Sequence, residues 1–208
     1  MKKFSIIIAV SALLIFSFSN KVIAQKEKGQ VVISAGAGYY VYGSEIGLGI
    51  DYDSEKYSEP VLNGMMDYGI TDFFSMGIAV SYQKMGVEWE DYLYYDDTIH
   101  TEDVTEELTC LNIGVRPLFH FIKNDYIGMY TGFRLGYSLW TYEHDSEDPD
   151  WKDPNFERTR MSIQTLLGLR TYFSKVVGMH IEIAMGTPYV AAVGLSIRLG
   201  HSKDSPSM

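Results

Sequence analysis

The most regular pattern in the chain runs over residues 126–140, where two unlike faces alternate. Odd positions carry Ile127, Met129, Thr131, Phe133, Leu135, Tyr137 and Leu139. Even positions carry Tyr126, Gly128, Tyr130, Gly132, Arg134, Gly136, Ser138 and Trp140. A period of two is the repeat of a β-strand with one apolar and one polar face. An amphipathic helix would group apolar residues at three- and four-residue spacing, and here glycine and serine interrupt that spacing. The run is also long: soluble strands average about five or six residues, whereas crossing a bilayer at a tilt takes roughly 9–11.

The pattern recurs. Residues 158–173 set Met161, Ile163, Thr165, Leu167, Leu169 and Phe173 against Arg160, Ser162, Gln164, Gly168, Arg170 and Tyr172. Residues 177–185 set Val177, Met179, Ile181, Ile183 and Met185 against Gly178, His180, Glu182 and Ala184. Residues 191–199 oppose Val193, Leu195, Ile197 and Leu199 to Ala192, Gly194, Ser196 and Arg198. Segments 31–42, 74–83 and 109–116 follow suit, and 62–69 is the faintest. Eight strands are therefore predicted. Their connections alternate in length: short at 70–73, 118–125 and 174–176, long at 43–59, 89–104 and 142–155. The last hairpin, around 186–189, is short although it falls on the long-loop side. An even number of strands with short turns at one end and long loops at the other is the signature of an outer-membrane barrel.

Composition and charge refine this picture. Lys2 and Lys3 followed by an apolar stretch over residues 4–18 and the small-residue context Val22-Ile23-Ala24 read as a signal peptide over residues 1–24. The apolar run is shorter than the roughly 18 residues of a spanning helix. Loss of Lys2, Lys3 and Lys21 with that segment takes the formal charge from −10 to −13. So acidic a chain is unsuited to nucleic acid, which demands clustered basic charge. The single cysteine, Cys110, excludes an intramolecular disulfide framework. Aromatic residues gather toward strand ends: Tyr68, Phe74, Phe119, Phe121, Tyr126, Tyr172 and Phe173 near the short turns, and Tyr39, Tyr82, Tyr137, Trp140 and Tyr189 near the long loops. Two such belts are expected where amphipathic rings sit at a water–lipid boundary.

A β-sandwich or a soluble ligand-binding barrel would also alternate. Glycine separates the readings. Gly36, Gly38, Gly77, Gly114, Gly132, Gly136, Gly168 and Gly194 lie on the polar face, and small residues suit the crowded inside of a narrow barrel better than a solvated outside. With these features, and with stretches such as Tyr130-Thr-Gly-Phe-Arg-Leu-Gly-Tyr137 and Gly186-Thr-Pro-Tyr-Val-Ala-Ala-Val-Gly194, the chain resembles the small eight-stranded outer-membrane proteins of the OmpA-transmembrane-domain and OmpX type. The resemblance covers residues 31–199. It implies an all-β, antiparallel, up-and-down transmembrane barrel (residues 25–200) followed by a polar tail (201–208). It also implies an outer-membrane location in a Gram-negative cell, with long loops extracellular and short turns and both termini periplasmic. Outer-membrane lipid and the barrel-assembly machinery are the partners it implies. One departure stands out: the last strand ends Ile197-Arg-Leu-Gly200, without the terminal aromatic common in such barrels.

Alternation turns Asp67, Arg116, Arg134, Arg160, Arg170, His180, Glu182 and Arg198 toward the lumen. Inside a narrow barrel these arginines need carboxylates or backbone acceptors. A salt-bridged plug and a positively lined pore both satisfy the pattern, and eight strands leave room for side chains and little more. His180 and Glu182 share a face, but no third partner marks them as catalytic, and His100 and His144 have no nucleophile motif beside them. No cofactor is expected. The carboxylates concentrate in the long loops, interleaved with Tyr92, Tyr94, Tyr95 and Trp151. There, Asp96, Asp97, Asp145 and Asp148 are the weak candidates for a divalent cation, and a basic extracellular protein is the alternative ligand. The function read from the sequence is a non-enzymatic structural, envelope-integrity or surface-interaction role. A narrow solute channel is the alternative, and a lipid- or protein-modifying enzyme a lesser one.

Overall fold

A strand with an apolar and a polar face leaves its backbone unpaired on both edges, so such strands must find neighbours. The computed structural model describes residues 28–40, 55–95, 98–123, 126–145 and 156–200. The segments expected to be a signal peptide and a polar tail lie outside these. The strands are β1 (Val31–Tyr39), β2 (Glu55–Ser58), β3 (Val61–Gly69), β4 (Phe74–Tyr95), β5 (Thr98–Lys123), β6 (Ile127–Asp145), β7 (Phe156–Tyr172), β8 (Val177–Gly186) and β9 (Ala191–Leu199). No helix occurs among the described residues.

All pairings are antiparallel. The order β3-β1-β9-β8-β7-β6-β5 is closed by β5 pairing β4 and β4 pairing β3. β2 and β3 form one stave, interrupted at Pro60. β2 pairs β4 from Glu55↔Glu88 to Ser58↔Met85, and β3 resumes on the same strand at Leu62↔Tyr82. Four steps on one side therefore oppose three on the other, a bulge at a residue that has no N–H to give the ladder. The amide of Glu59 bridges the gap to the Lys84 carbonyl at 2.9 Å. The closed ring thus has eight staves, and closure removes the sheet edges. β1 seals it, with Val31 opposite Tyr68 on one side and opposite Leu199 on the other.

The staves differ in height. β4 and β5 pair from Phe74↔Phe119 out to Tyr95↔Thr98, whereas β8 reaches only Gly186, opposite Gln164 of β7. The wall from β4 to β7 rises well above the wall formed by β8, β9, β1 and β3. On the outer face of the tall wall, Tyr57 lies over Gly86 and Lys84 pairs with Glu107. Its inner face is apolar, with Met85, Leu108 and Tyr142 packed together against Trp140. Lower down, the inner face becomes polar, and that layer holds the site.

Candidate functional site

Alternation aims Asp67 of β3, Arg116 of β5, Arg170 of β7 and Glu182 of β8 at the axis, where all four are buried. Arg116 Nη2 meets Glu182 Oε1 at 2.5 Å. Its Nε lies 3.1 Å from Asp67 Oδ1, an ion pair whose N–H points off the carboxylate oxygen. The other guanidinium nitrogen of Arg116 touches the Met65 sulfur. Arg170 Nη2 donates to Asp67 Oδ2, and its guanidinium stands 4.5 Å above the Tyr130 ring. Glu182 accepts two more bonds, from the Tyr130 hydroxyl at 2.6 Å and from the Tyr189 hydroxyl. Three donors on one carboxylate supply the partners that a buried charge requires.

A second layer lies toward the long loops. Arg134 donates to Ser81 Oγ at 2.9 Å and to the Asn112 carbonyl at 3.2 Å. The Asn112 amide bridges the hydroxyls of Ser138 and Ser162 at 2.8 and 2.7 Å. Gln164 donates to the Tyr189 carbonyl at 2.7 Å. Beside the ion pairs, His180 Nδ1 meets Ser196 Oγ at 3.1 Å, and Ser196 meets Ser34 at 2.8 Å. Near the short turns, Ser75 Oγ lies 2.9 Å from His120 Nε2. Leu118, Leu166, Val61 and Ala184 fill the remaining inner space around Tyr130 and Tyr189. The buried charges among the described residues are three guanidiniums against two carboxylates.

Of the residues assigned to the lumen from the sequence, Asp67, Arg116, Arg134, Arg170, His180 and Glu182 come together there. Arg160 and Arg198 do not. Arg160 is exposed, because β8 stops opposite Gln164 and above that point β7 is paired with β6 alone, so the lumen is open on its other side. Arg198 is half-buried at the opposite end, its guanidinium 3.9 Å over the Tyr172 ring and its Nε donating to the Lys175 carbonyl. His180 and Glu182 are taken up by different partners and form no acid–base unit. Asp96, Asp97 and Asp148 lie outside the described residues. Asp145 closes β6, and its side chain is likewise outside, as are those of His100 and His144. Among the described residues no three His, Cys, Asp or Glu side chains are grouped to hold a metal ion. The sequence reading missed Tyr130 and Tyr189 as carboxylate donors. A signal existed: Gly168 and Gly38 face the two rings, and a Cβ at either would collide with or crowd them.

The outer face decides what surrounds the barrel. Arg134 and Glu182 are 0 % exposed, while Leu195 and Ile183 are 64 % exposed. This inverts the arrangement of a soluble protein, and an apolar surface that runs around the whole wall belongs in hydrocarbon. The apolar run on β6, Ile127 to Leu139, is about 40 Å long at 3.3 Å per residue and about 30 Å tall after a tilt of roughly 40°. That spans a bilayer core. This is a transmembrane β-barrel of eight staves. No model of a known protein family matches the chain, and no curated protein matches it. Among solved structures it is similar to Ail, the attachment invasion locus protein of Yersinia pestis, crystallised with the heparin analogue sucrose octasulfate. The identity is 12%, covering 83% of this chain and 99% of that one, at TM-score 0.44. It is similar to OprG of Pseudomonas aeruginosa at 9% identity, covering 86% and 100%, at TM-score 0.49. The N-terminal β-barrel domain of Pseudomonas aeruginosa OprF gives 14%, 84% and 100%, at TM-score 0.43.

The transmembrane barrel carries exposed rings at both ends of its apolar band. Tyr68, Phe73, Phe119, Tyr126 and Phe173 ring the short-turn end, and Tyr39, Tyr82 and Tyr137 the other. Three aromatics expected in the belts lie inside instead: Tyr172 and Tyr189 are buried and Trp140 packs on the inner apolar cluster. Leu135→Arg, at the middle of the band, is expected to cost about 2–4 kcal/mol. The check is urea titration of the barrel folded into lipid vesicles, and an unchanged midpoint would place Leu135 away from lipid.

Proposed function

We propose that this barrel is a non-enzymatic structural element of the outer membrane, closed to solute flow, with the long loops extracellular and the short turns periplasmic. The observation that carries the reading is the convergence of Arg116, Tyr130 and Tyr189 on Glu182. Side chains from β5, β6, β8 and the β8–β9 hairpin meet on one carboxylate inside the barrel, which supports a closed lumen. In planar lipid bilayers the purified protein is expected to give no steady conductance; porin-sized open steps would overturn the closed reading. Surface proteolysis of whole cells, read with heat-modifiable gel migration, tests orientation. Cleavage in the long loops with an intact barrel core is the expected outcome.

The tall wall supports a second role, surface interaction. Its ladder extends to Tyr95, Thr98 and Asp145, and Glu88, Glu143 and Glu157 are exposed on it. An acidic, raised edge suits a basic protein segment or a divalent cation. Calcium titration followed by thermal unfolding and loop proteolysis separates the two. No change in either leaves the protein partner as the ligand to seek.

A further inference from the structure

Tyr189 differs from the other groups on Glu182 in one respect: it belongs to a hairpin rather than a stave. Residues 187–190 turn inward at Gly186, whose φ of 107° suits glycine, and Pro188 and Tyr189 are buried. The hairpin is tied down by four bonds. Tyr189 OH donates to Glu182, and the Gln164 amide donates to the Tyr189 carbonyl at 2.7 Å. The Ala184 amide donates to the Val190 carbonyl at 2.8 Å, and the Val190 amide to the Tyr39 carbonyl at 2.9 Å. Gly38 leaves the socket for the ring, since a Cβ there would stand 3.0 Å from that of Tyr189.

Beside Tyr189 lies the one buried guanidinium, among the described residues, without a carboxylate. Arg134 is 0 % exposed and bonded to neutral oxygens only, and its Nε has no hydrogen-bond partner. Tyr189 also lies against this guanidinium. We propose that the β8–β9 hairpin is a lid and that the space beneath it takes a small inorganic oxyanion on Arg134. Lifting the hairpin releases the Gln164 amide that now serves Tyr189 and uncovers Arg134, whose Nε is already without a hydrogen-bond partner. It leaves Glu182 neutralised by Arg116 and Tyr130, so the nearest carboxylate does not turn the anion away. The bound anion supplies the charge that the three-against-two balance lacks. The site opens toward the long loops, while the Arg116–Asp67–Arg170 layer below stays shut.

The inference rests on the closed-lumen reading and is tested separately from it. Tyr189→Ala in the full barrel removes the stopper. In sodium nitrate, against sodium gluconate at equal ionic strength, its unfolding temperature is expected to rise by about 3 °C or more, while that of the wild type is unchanged. Adding Arg134→Gln to Tyr189→Ala is expected to abolish the rise. Gly38→Ala keeps the tyrosine but crowds its socket, and is expected to show a smaller rise; it serves if Tyr189→Ala does not fold. Absence of a nitrate effect in every folded variant of these, or its survival in Arg134→Gln, overturns the lid. Conductance by the wild type would overturn the closed lumen instead.

Discussion

Glu182→Ala is expected to cost more stability than any other single truncation in the lumen, about 3–5 kcal/mol. Three donors lose their acceptor at once. Arg116 keeps only the Asp67 ion pair and its contact with the Met65 sulfur, and the Tyr130 and Tyr189 hydroxyls are left buried without their carboxylate. A buried charge stripped of its partner is the expensive case; removal of both partners is often nearly neutral. Glu182→Ala combined with Arg116→Met should therefore recover most of the loss, and Glu182→Gln, which keeps an acceptor but not the charge, should fall between. The measurement is equilibrium urea unfolding of the barrel in vesicles, read by gel migration. A Glu182→Ala variant within about 1 kcal/mol of the wild type would mean that the carboxylate is solvated rather than locked.

Gly136→Val is the second large effect, and it acts on closure rather than on charge. Gly136 of β6 faces Gly114 of β5 on the inner side. A Cβ at Gly136 would lie 2.0 Å from the Ile113 carbonyl oxygen and 2.5 Å from the Gly114 Cα. These are backbone atoms in a paired ladder and cannot swing aside as a flexible side chain can. The two strands must separate, and the ring loses one of its seams. The expected result is that little or none of the variant reaches the compact, heat-modifiable form, a loss beyond about 4 kcal/mol. Leu135→Val, one residue away on the lipid side, should fold normally. Equal folded yields for the two variants would show that β5 and β6 have slack at this point.

The staves were legible because each buries a polar face in a narrow lumen and turns an apolar face to lipid, which forces strict alternation. Residues 177–185 and 191–199 were read within one residue of β8 and β9. The ends were not legible where that constraint lapses. Residues 84–95 carry Glu and Asp among Tyr and Trp, and 98–108 carry them among Thr, a composition that reads as loop, and their ladder depends on the long partner register of β4 with β5. β2 was hidden for the same reason, inside a stretch rich in charge and broken at Pro60. β5 also runs on to Lys123, past a bulge between His120 and Ile122 that disrupts the period of two.

Within the site, parity alone placed Asp67, Arg116, Arg134, Arg170, His180 and Glu182 on the inner face. It could not say which end of a long stave is enclosed, and Arg160 and Arg198 fall at the two open ends for that reason. Nor could it place Tyr189, because a hairpin has no parity. Its inward course depends on the Gly38 socket, distant in sequence, and on Glu182, seven residues before it across the turn.

The pairing of β1 with β9 has a further consequence. Val31 faces Leu199, so the first and last residues of the wall are neighbours and the sheet has no natural origin. A short linker joining residues 28 and 200 would allow the chain to be cut in any long loop without severing a stave. Circularly permuted barrels with new ends in the 146–155 connection would place both termini on the side of the long loops, and the same ring would then serve to display fused peptides there.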